Sequence, residues 1–220
     1  MKKRTDIKKL SVLAMFAALA FVSMSVLRIP VVSFLKYEPK DCIIAIAGFI
    51  YGPLSSVLIS VVVSLIEFIT VSDTGIIGCF MNVVSTLLFV LPAALMYKKN
   101  RTIKSAVIGL IIGTLCMTAG MILWNYIVTP WYMHVPRADI VNMLLPVFLP
   151  FNLLKAGLNT AVTLLLYKRV VLILRKTKLL PVSDAPSSTV KTGHNVTVFV
   201  ASGALLVTLI FVLLAWKGII

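Results

Sequence analysis

The chain has 220 residues, 60% of them hydrophobic and 13% charged, with 21 basic against 7 acidic side chains and a formal net charge of +14; its mean hydropathy is +1.06. A soluble domain of this length has no interior large enough for so much apolar surface, so composition excludes a soluble globular protein and assigns the chain to the lipid bilayer. The apolar runs are continuous rather than alternating, which excludes a transmembrane barrel and predicts an all-α integral membrane protein.

The first predicted helix covers residues 10–27 and follows Lys2, Lys3 and Arg4. That basic start imitates a signal peptide, but the run is long, lacks a convincing small-x-small cleavage site, and is needed for the later charge pattern, so it is read as helix one. Residues 29–41, IPVVSFLKYEPKD, are too apolar for a solvated connector and too charged for a span. Pro30 and Pro39 restrict this segment, which suits a lid over an outward-facing cavity and equally an interfacial loop resting on headgroups. Residues 42–51 and 54–71 are two separate elements, the first of them short, because Gly52-Pro53 breaks or kinks a helix. Runs at 75–97 and 105–128 follow, then a partly polar loop around 134–139, then a run at 146–174. A seventh run, 196–216, comes after a linker rich in Ser, Thr, Pro and charge. The predicted organisation is a six-helix membrane domain (1–176), a polar cytoplasmic linker (177–195) and an additional transmembrane helix (196–217).

If the amino terminus is cytoplasmic, most of the 21 basic residues fall on the inner side, including Lys98, Lys99, Arg101, Lys104, Lys168 and Arg169. The positive-inside rule is satisfied. The net charge therefore belongs to cytoplasmic loops, and with no basic patch interleaved with aromatics, nucleic acid is not an expected partner. Cys42, Cys79 and Cys116 lack metal-ligand spacing and read as packing residues, and no metal is expected. There is no phosphate-binding G-x-x-x-x-G-K-[ST] loop, no H-E-x-x-H and no Ser/His/Asp constellation within the spans, and His134 and His194 both fall in predicted loops. No catalytic residue is assigned.

Polar residues inside the spans carry the remaining signal. A charge at the centre of a membrane helix costs roughly 2.5–3.5 kcal/mol, so Lys155 calls for a cavity, a partner or a ligand. Asn152, Lys155 and Asn159 lie at i, i+3 and i+7, within about 60° of one another on a helix. Two readings fit the stripe. Lys155 could pair with Glu67, the acidic residue deep in a predicted span, while the asparagines bridge helices. Alternatively the stripe presents donors and acceptors to a polar heterocycle. Asn125 lies near the outer end of its helix beside Trp124 and Tyr126, aromatics that suit an interfacial belt. Gly75, Gly78 and Asn82 repeat the i, i+3, i+7 spacing and form a face without bulk, open to close helix packing or to a flat ring.

Helix one with Ala14, Ala17, Ala18 and Ala20, then "FLKYEPKD", "GFIYGP", "GIIGCFMN", "LWNYIVTPWYM" and "LPFNLLKAG" in that order, resemble the riboflavin-specific substrate-binding (S) component of energy-coupling factor (ECF) transporters, the RibU family. The resemblance spans residues 8–176. It implies a six-helix bundle in a prokaryotic cell membrane that captures riboflavin from outside and hands it to a transmembrane coupling protein and two ATPase subunits. Riboflavin would be substrate rather than cofactor, with FMN and flavin analogues as further candidates, and the chain would not itself be an enzyme. By resemblance, Ala14 and Ala18 contact the coupling protein, although small-x-x-x-small spacing also serves plain helix packing, as at Gly48/Gly52 and Gly109/Gly113. Asn125, Asn152 and Lys155 would hydrogen-bond the isoalloxazine's polar edge, and Lys36 and Tyr37 would close the loop over it. The run at 196–216 has no counterpart in the six-helix pattern and would place the carboxyl terminus outside. The rival expectations are an S component for thiamine or biotin, a proton-coupled secondary carrier using Glu67 and Lys155, and an intramembrane enzyme.

Overall fold

The computed structural model of the protein describes residues 2–32, 35–71, 74–177, 192–216 and 218. Helix α1 (Lys2–Val26) leads into an antiparallel hairpin, β1 (Ile29–Val32) and β2 (Leu35–Tyr37), which pairs Ile29 with Tyr37 and Pro30 with Lys36. Helices α2 (Lys40–Tyr51), α3 (Pro53–Thr70), α4 (Gly75–Lys99) and α5 (Ile103–Ile127) follow. Then come α6 (Thr129–Met133), α7 (Arg137–Met143), a π-helical turn (Leu144–Phe148), α8 (Leu149–Lys176) and α9 (Thr192–Trp216).

The segment 29–41, expected as an irregular connection, is thus a strand pair joined to the start of α2. The predicted break between α2 and α3 is real. Gly52 takes a φ of +92°, a region that side chains disfavour, and Pro53 occupies the first helical turn of α3, where its missing N–H costs nothing. The loop expected around 134–139 is confined to 134–136, and its second half is helical. His134 turns the chain with a φ of 53°, α7 begins at Arg137, and the π-helical turn takes in Pro146, a residue that an α-helix interior resists.

Among the described residues, six helical segments are long and apolar enough to cross a membrane: Ile7–Val26, Pro53–Thr70, Gly75–Lys99, Ile103–Ile127, Arg137–Leu174 and Val196–Trp216. Helix α2, with 12 residues, reaches only about 18 Å at 1.5 Å per residue. It is instead a central strut, packed against α1, α3, α4 and α8, with nine of its residues buried from Lys40 to Phe49. Around it lies the main core, including Val12, Phe16, Ile44, Ile46, Phe89, Leu110 and Met117. Close helix approaches occur at the predicted small residues. A Cβ on Gly113 would collide with the Phe89 carbonyl oxygen, and one on Gly48 with Ser56 Oγ. Gly113 lets α5 approach the α4 backbone, and Gly48 makes room on α2 for the Ser56 side chain of α3.

The linker expected at 177–195 lies outside the described residues over 178–191, and its last four residues, 192–195, belong to α9, which begins at Thr192. Helix α9 packs on α8: Leu209 occupies the space beside Gly157, and Leu213 is buried in a cluster with Val31, Leu35 and Tyr37 of the hairpin and Phe151, Leu154 and Leu158 of α8. Phe199, Val200, Val207 and Phe211 are exposed on its other side, as lipid-facing residues are.

Candidate functional site

A cavity of about 320 Å³ lies between the hairpin, the first half of α4, the last turns of α5, α6 and the start of α8, within the usual size of a small-molecule site. Its walls are apolar and aromatic (Leu35, Ile77, Met81, Met121, Trp124, Phe151), with Arg28, Lys36, Glu38, Asn82, Asn125, Asn152 and Lys155 set among them. Of the residues predicted from sequence, Asn125, Asn152, Lys155, Lys36, Gly78 and Asn82 converge here, although they come from the hairpin and three different helices.

Gly75 and Tyr37 do not line the cavity. Gly75 begins α4 with a φ of +60°, so it serves the turn. Tyr37 is buried behind the wall and donates from its Oη to Asn159 Oδ1 at 3.3 Å. Burial, with Cys42 and Asp41 adding to it, pushes its phenol pKa up, so the hydroxyl stays protonated as a donor. The bulk-free face expected at Gly78 is also not open space, because the Thr74 side chain already covers it. Asn159, the third member of the predicted stripe, is fully buried and reaches Asp41 instead of the cavity, its Nδ2 donating to Oδ2 at 3.4 Å.

The asparagines differ in what they have left to offer. Asn125 donates from Nδ2 to the Met121 carbonyl at 2.7 Å and accepts from Thr129 Oγ1 at 2.8 Å. Asn152 donates to the Phe148 carbonyl, in the π-helical turn, at 2.8 Å. Its Oδ1 has no hydrogen bond among the described residues. Lys155 is 7% exposed. Its Nζ stands 4.0 Å from Asp41 Oδ2, near enough to compensate the charge but too far for a hydrogen bond.

The pairing of Lys155 with Glu67 does not occur. Glu67 instead accepts from Lys40 Nζ at 2.5 Å and from Asn82 Nδ2 at 2.8 Å, with Arg28 at 3.5 Å. Lys40, 1% exposed, also contacts Glu38 at 3.0 Å, and Glu38 in turn accepts from Arg28 at 3.0 Å. Arg28 further donates to the Val71 carbonyl at 2.6 Å. Burial alone would raise the Glu38 carboxyl, but Lys40, Lys155 and Arg28 outweigh it and hold the group below the usual carboxylate range. Three cations (Arg28, Lys40, Lys155) thus meet three carboxylates (Glu38, Asp41, Glu67) under and beside the cavity. Sequence reasoning missed Arg28, Glu38, Lys40 and Asp41 as members of one network. The available signal was Glu38-Pro39-Lys40-Asp41, three charges entering a strongly apolar helix.

Away from the cavity, Ala14 and Ala18 are exposed on one face of α1 while Ala17 and Ala20 are buried in the core. The two exposed alanines leave a shallow strip one helical turn long.

Residues 8–167 match the family described as "ECF transporter, substrate-specific component". The chain is 31% identical over 173 residues to the riboflavin transporter FmnP of Bacillus subtilis, covering 73% of this chain and 90% of that protein. It is also 31% identical over 179 residues to the riboflavin transporter RibU of Staphylococcus aureus, covering 77% and 93% of the two chains. A solved structure described as the S component of a bacterial ECF transporter superposes with a TM-score of 0.65 at 30% identity, over 77% of this chain and 99% of the other.

Proposed function

Because the chain belongs to the family of ECF transporter substrate-specific components, we propose that it is a multi-pass membrane protein of riboflavin uptake, binding the vitamin in the cavity beneath the hairpin. The observation that carries this reading is Lys155: its charge is balanced by Asp41 at 4.0 Å, while its ammonium makes no hydrogen bond to a described residue. A ligand with acceptor oxygens would complete it. Asn152 Oδ1, one turn away, is available to an N–H, so donor and acceptor stand side by side, which suits an imide edge between the aromatic and thioether walls of Trp124, Phe151, Met81 and Met121. FMN and flavin analogues fall within the same ligand class.

In this reading the chain binds and releases substrate, while a transmembrane coupling protein and two ATPase subunits supply the energy. The exposed Ala14/Ala18 strip is the proposed contact with the coupling protein, since small side chains permit close helix approach. The cell membrane of a prokaryote is the proposed location, with the amino terminus cytoplasmic by the distribution of Lys and Arg. Residues 1–176 form the proposed binding unit, 177–195 the linker and 196–217 an accessory helix. A chain ending at Thr177 is therefore expected to bind riboflavin within about threefold of the full chain, because α9 supplies no cavity residue; loss of binding would make α9 part of the site.

Proteoliposomes holding the chain with its coupling protein and ATPases test the function. Riboflavin uptake should require ATP. Uptake that persists without the ATPases and collapses with the proton gradient would instead favour a secondary carrier, for which Glu67, held by Lys40 and Asn82 and not by Lys155, offers no relay.

A further inference from the structure

Asp41 is fully buried at the start of α2 and does not line the cavity, yet one of the groups around it, Lys155, does. Thr86 of α4 donates to its Oδ1 at 2.6 Å. Asn159 of α8 donates to its Oδ2 at 3.4 Å, and Lys155 Nζ stands 4.0 Å from the same oxygen. The other end of the Asn159 amide accepts from Tyr37, the last residue of the hairpin. A carboxylate is costly to bury and persists only where its lone pairs are occupied and its charge matched. Three elements meet at this one side chain, and a fourth, the hairpin, reaches it through Asn159.

We propose that Asp41 is the positioning residue for Lys155, fixing the ammonium in the cavity wall with its donors free for the ligand and joining that position to the hairpin through Asn159 and Tyr37. The inference rests on the reading of the cavity as the riboflavin site. Its logic is a division of labour. A carboxylate within hydrogen-bond distance would take up the donors of Lys155, whereas one at 4.0 Å holds the ammonium by charge alone. With Asp41 neutralised, Glu38 is the carboxylate in the cavity lining left to attract Lys155, and the ammonium loses the charge that fixes its position.

The test uses the purified full chain in detergent, titrated with riboflavin and followed by quenching of flavin fluorescence. Asp41→Asn should weaken binding by about tenfold when Lys155 is present and by less than about twofold in the Lys155→Met background, the signature of two residues acting as one unit. Equal losses in both backgrounds would assign Asp41 a merely structural role, and an unchanged affinity would remove it from the site; either overturns the proposal. Thr86→Val, which removes one donor and leaves the charge, should give a smaller loss with the same dependence on Lys155. It carries the test if Asp41→Asn does not fold. Thermal unfolding without ligand supplies an arm independent of the transport reading. The charge-neutral D41N/K155M protein should melt above either single variant, and a double variant no more stable than the worse single would show that the pair does not exist. Failure of the wild-type chain to bind riboflavin, with that coupling intact, would strike the function and leave the pair standing.

Discussion

Lys155→Ala and Asn152→Ala are each expected to weaken riboflavin binding by about 1–3 kcal/mol, roughly five- to 150-fold, the cost of leaving a buried ligand group without its partner. Both side chains reach the cavity with hydrogen-bonding capacity that no described residue uses. Asn125→Ala should cost less, because both ends of that amide are already engaged by Met121 and Thr129. Isothermal or fluorescence titration of the three variants measures this order. The reverse order, with Asn125 dominant and Lys155 neutral, would place the ligand against α5 instead of α8.

Lys40→Met is expected to prevent accumulation of folded protein. Lys40 is 1% exposed and sits between Glu38 at 3.0 Å and Glu67 at 2.5 Å, so its loss leaves Glu67 with Arg28 at 3.5 Å, and Glu38 with Arg28 at 3.0 Å and the charge of Lys155. Breaking a buried ion pair from one side costs about 3–5 kcal/mol, a large share of the roughly 5–15 kcal/mol that holds a typical protein folded. Lys40→Met combined with Glu67→Gln should recover part of the loss by removing one orphaned charge. Thermal unfolding and the monodispersity of detergent-purified protein report both results. A stable Lys40→Met protein would mean that Arg28, with its side chain 18% exposed, and Lys155 neutralise both carboxylates without Lys40.

The contrast between these two sites also marks what was legible in the sequence. Asn152 and Lys155 are separated by one helical turn, so periodicity alone places them on a common face, and a charge in an apolar run advertises itself. Gly52-Pro53 was equally plain, since both residues constrain the backbone locally. The partner of Lys155 was not legible. Asp41 and Glu67 are both acidic and both far from residue 155 in sequence, and the choice between them is made by how α2 threads through the bundle, a tertiary fact with no local trace. Glu67 lies within a long apolar run, whereas Asp41 closes a charged stretch of sequence and is buried only because α2 carries it into the bundle. Tyr37 sits in the hairpin but outside the cavity lining. The hairpin's alternation turns it inward to Asn159 while Lys36, its neighbour, lines the cavity. Gly78 lines the cavity, and the Thr74 side chain stands where its Cβ would lie, a contact that spacing cannot express.

The central claim, that the cavity below the hairpin is a riboflavin site, is tested most directly by titrating the purified chain with riboflavin in the presence of excess thiamine or biotin. The account predicts saturable binding of one riboflavin per chain, indifferent to both competitors and weakened by Lys155→Ala. Displacement of riboflavin by thiamine or biotin, or the absence of saturable binding by a folded chain, would contradict it.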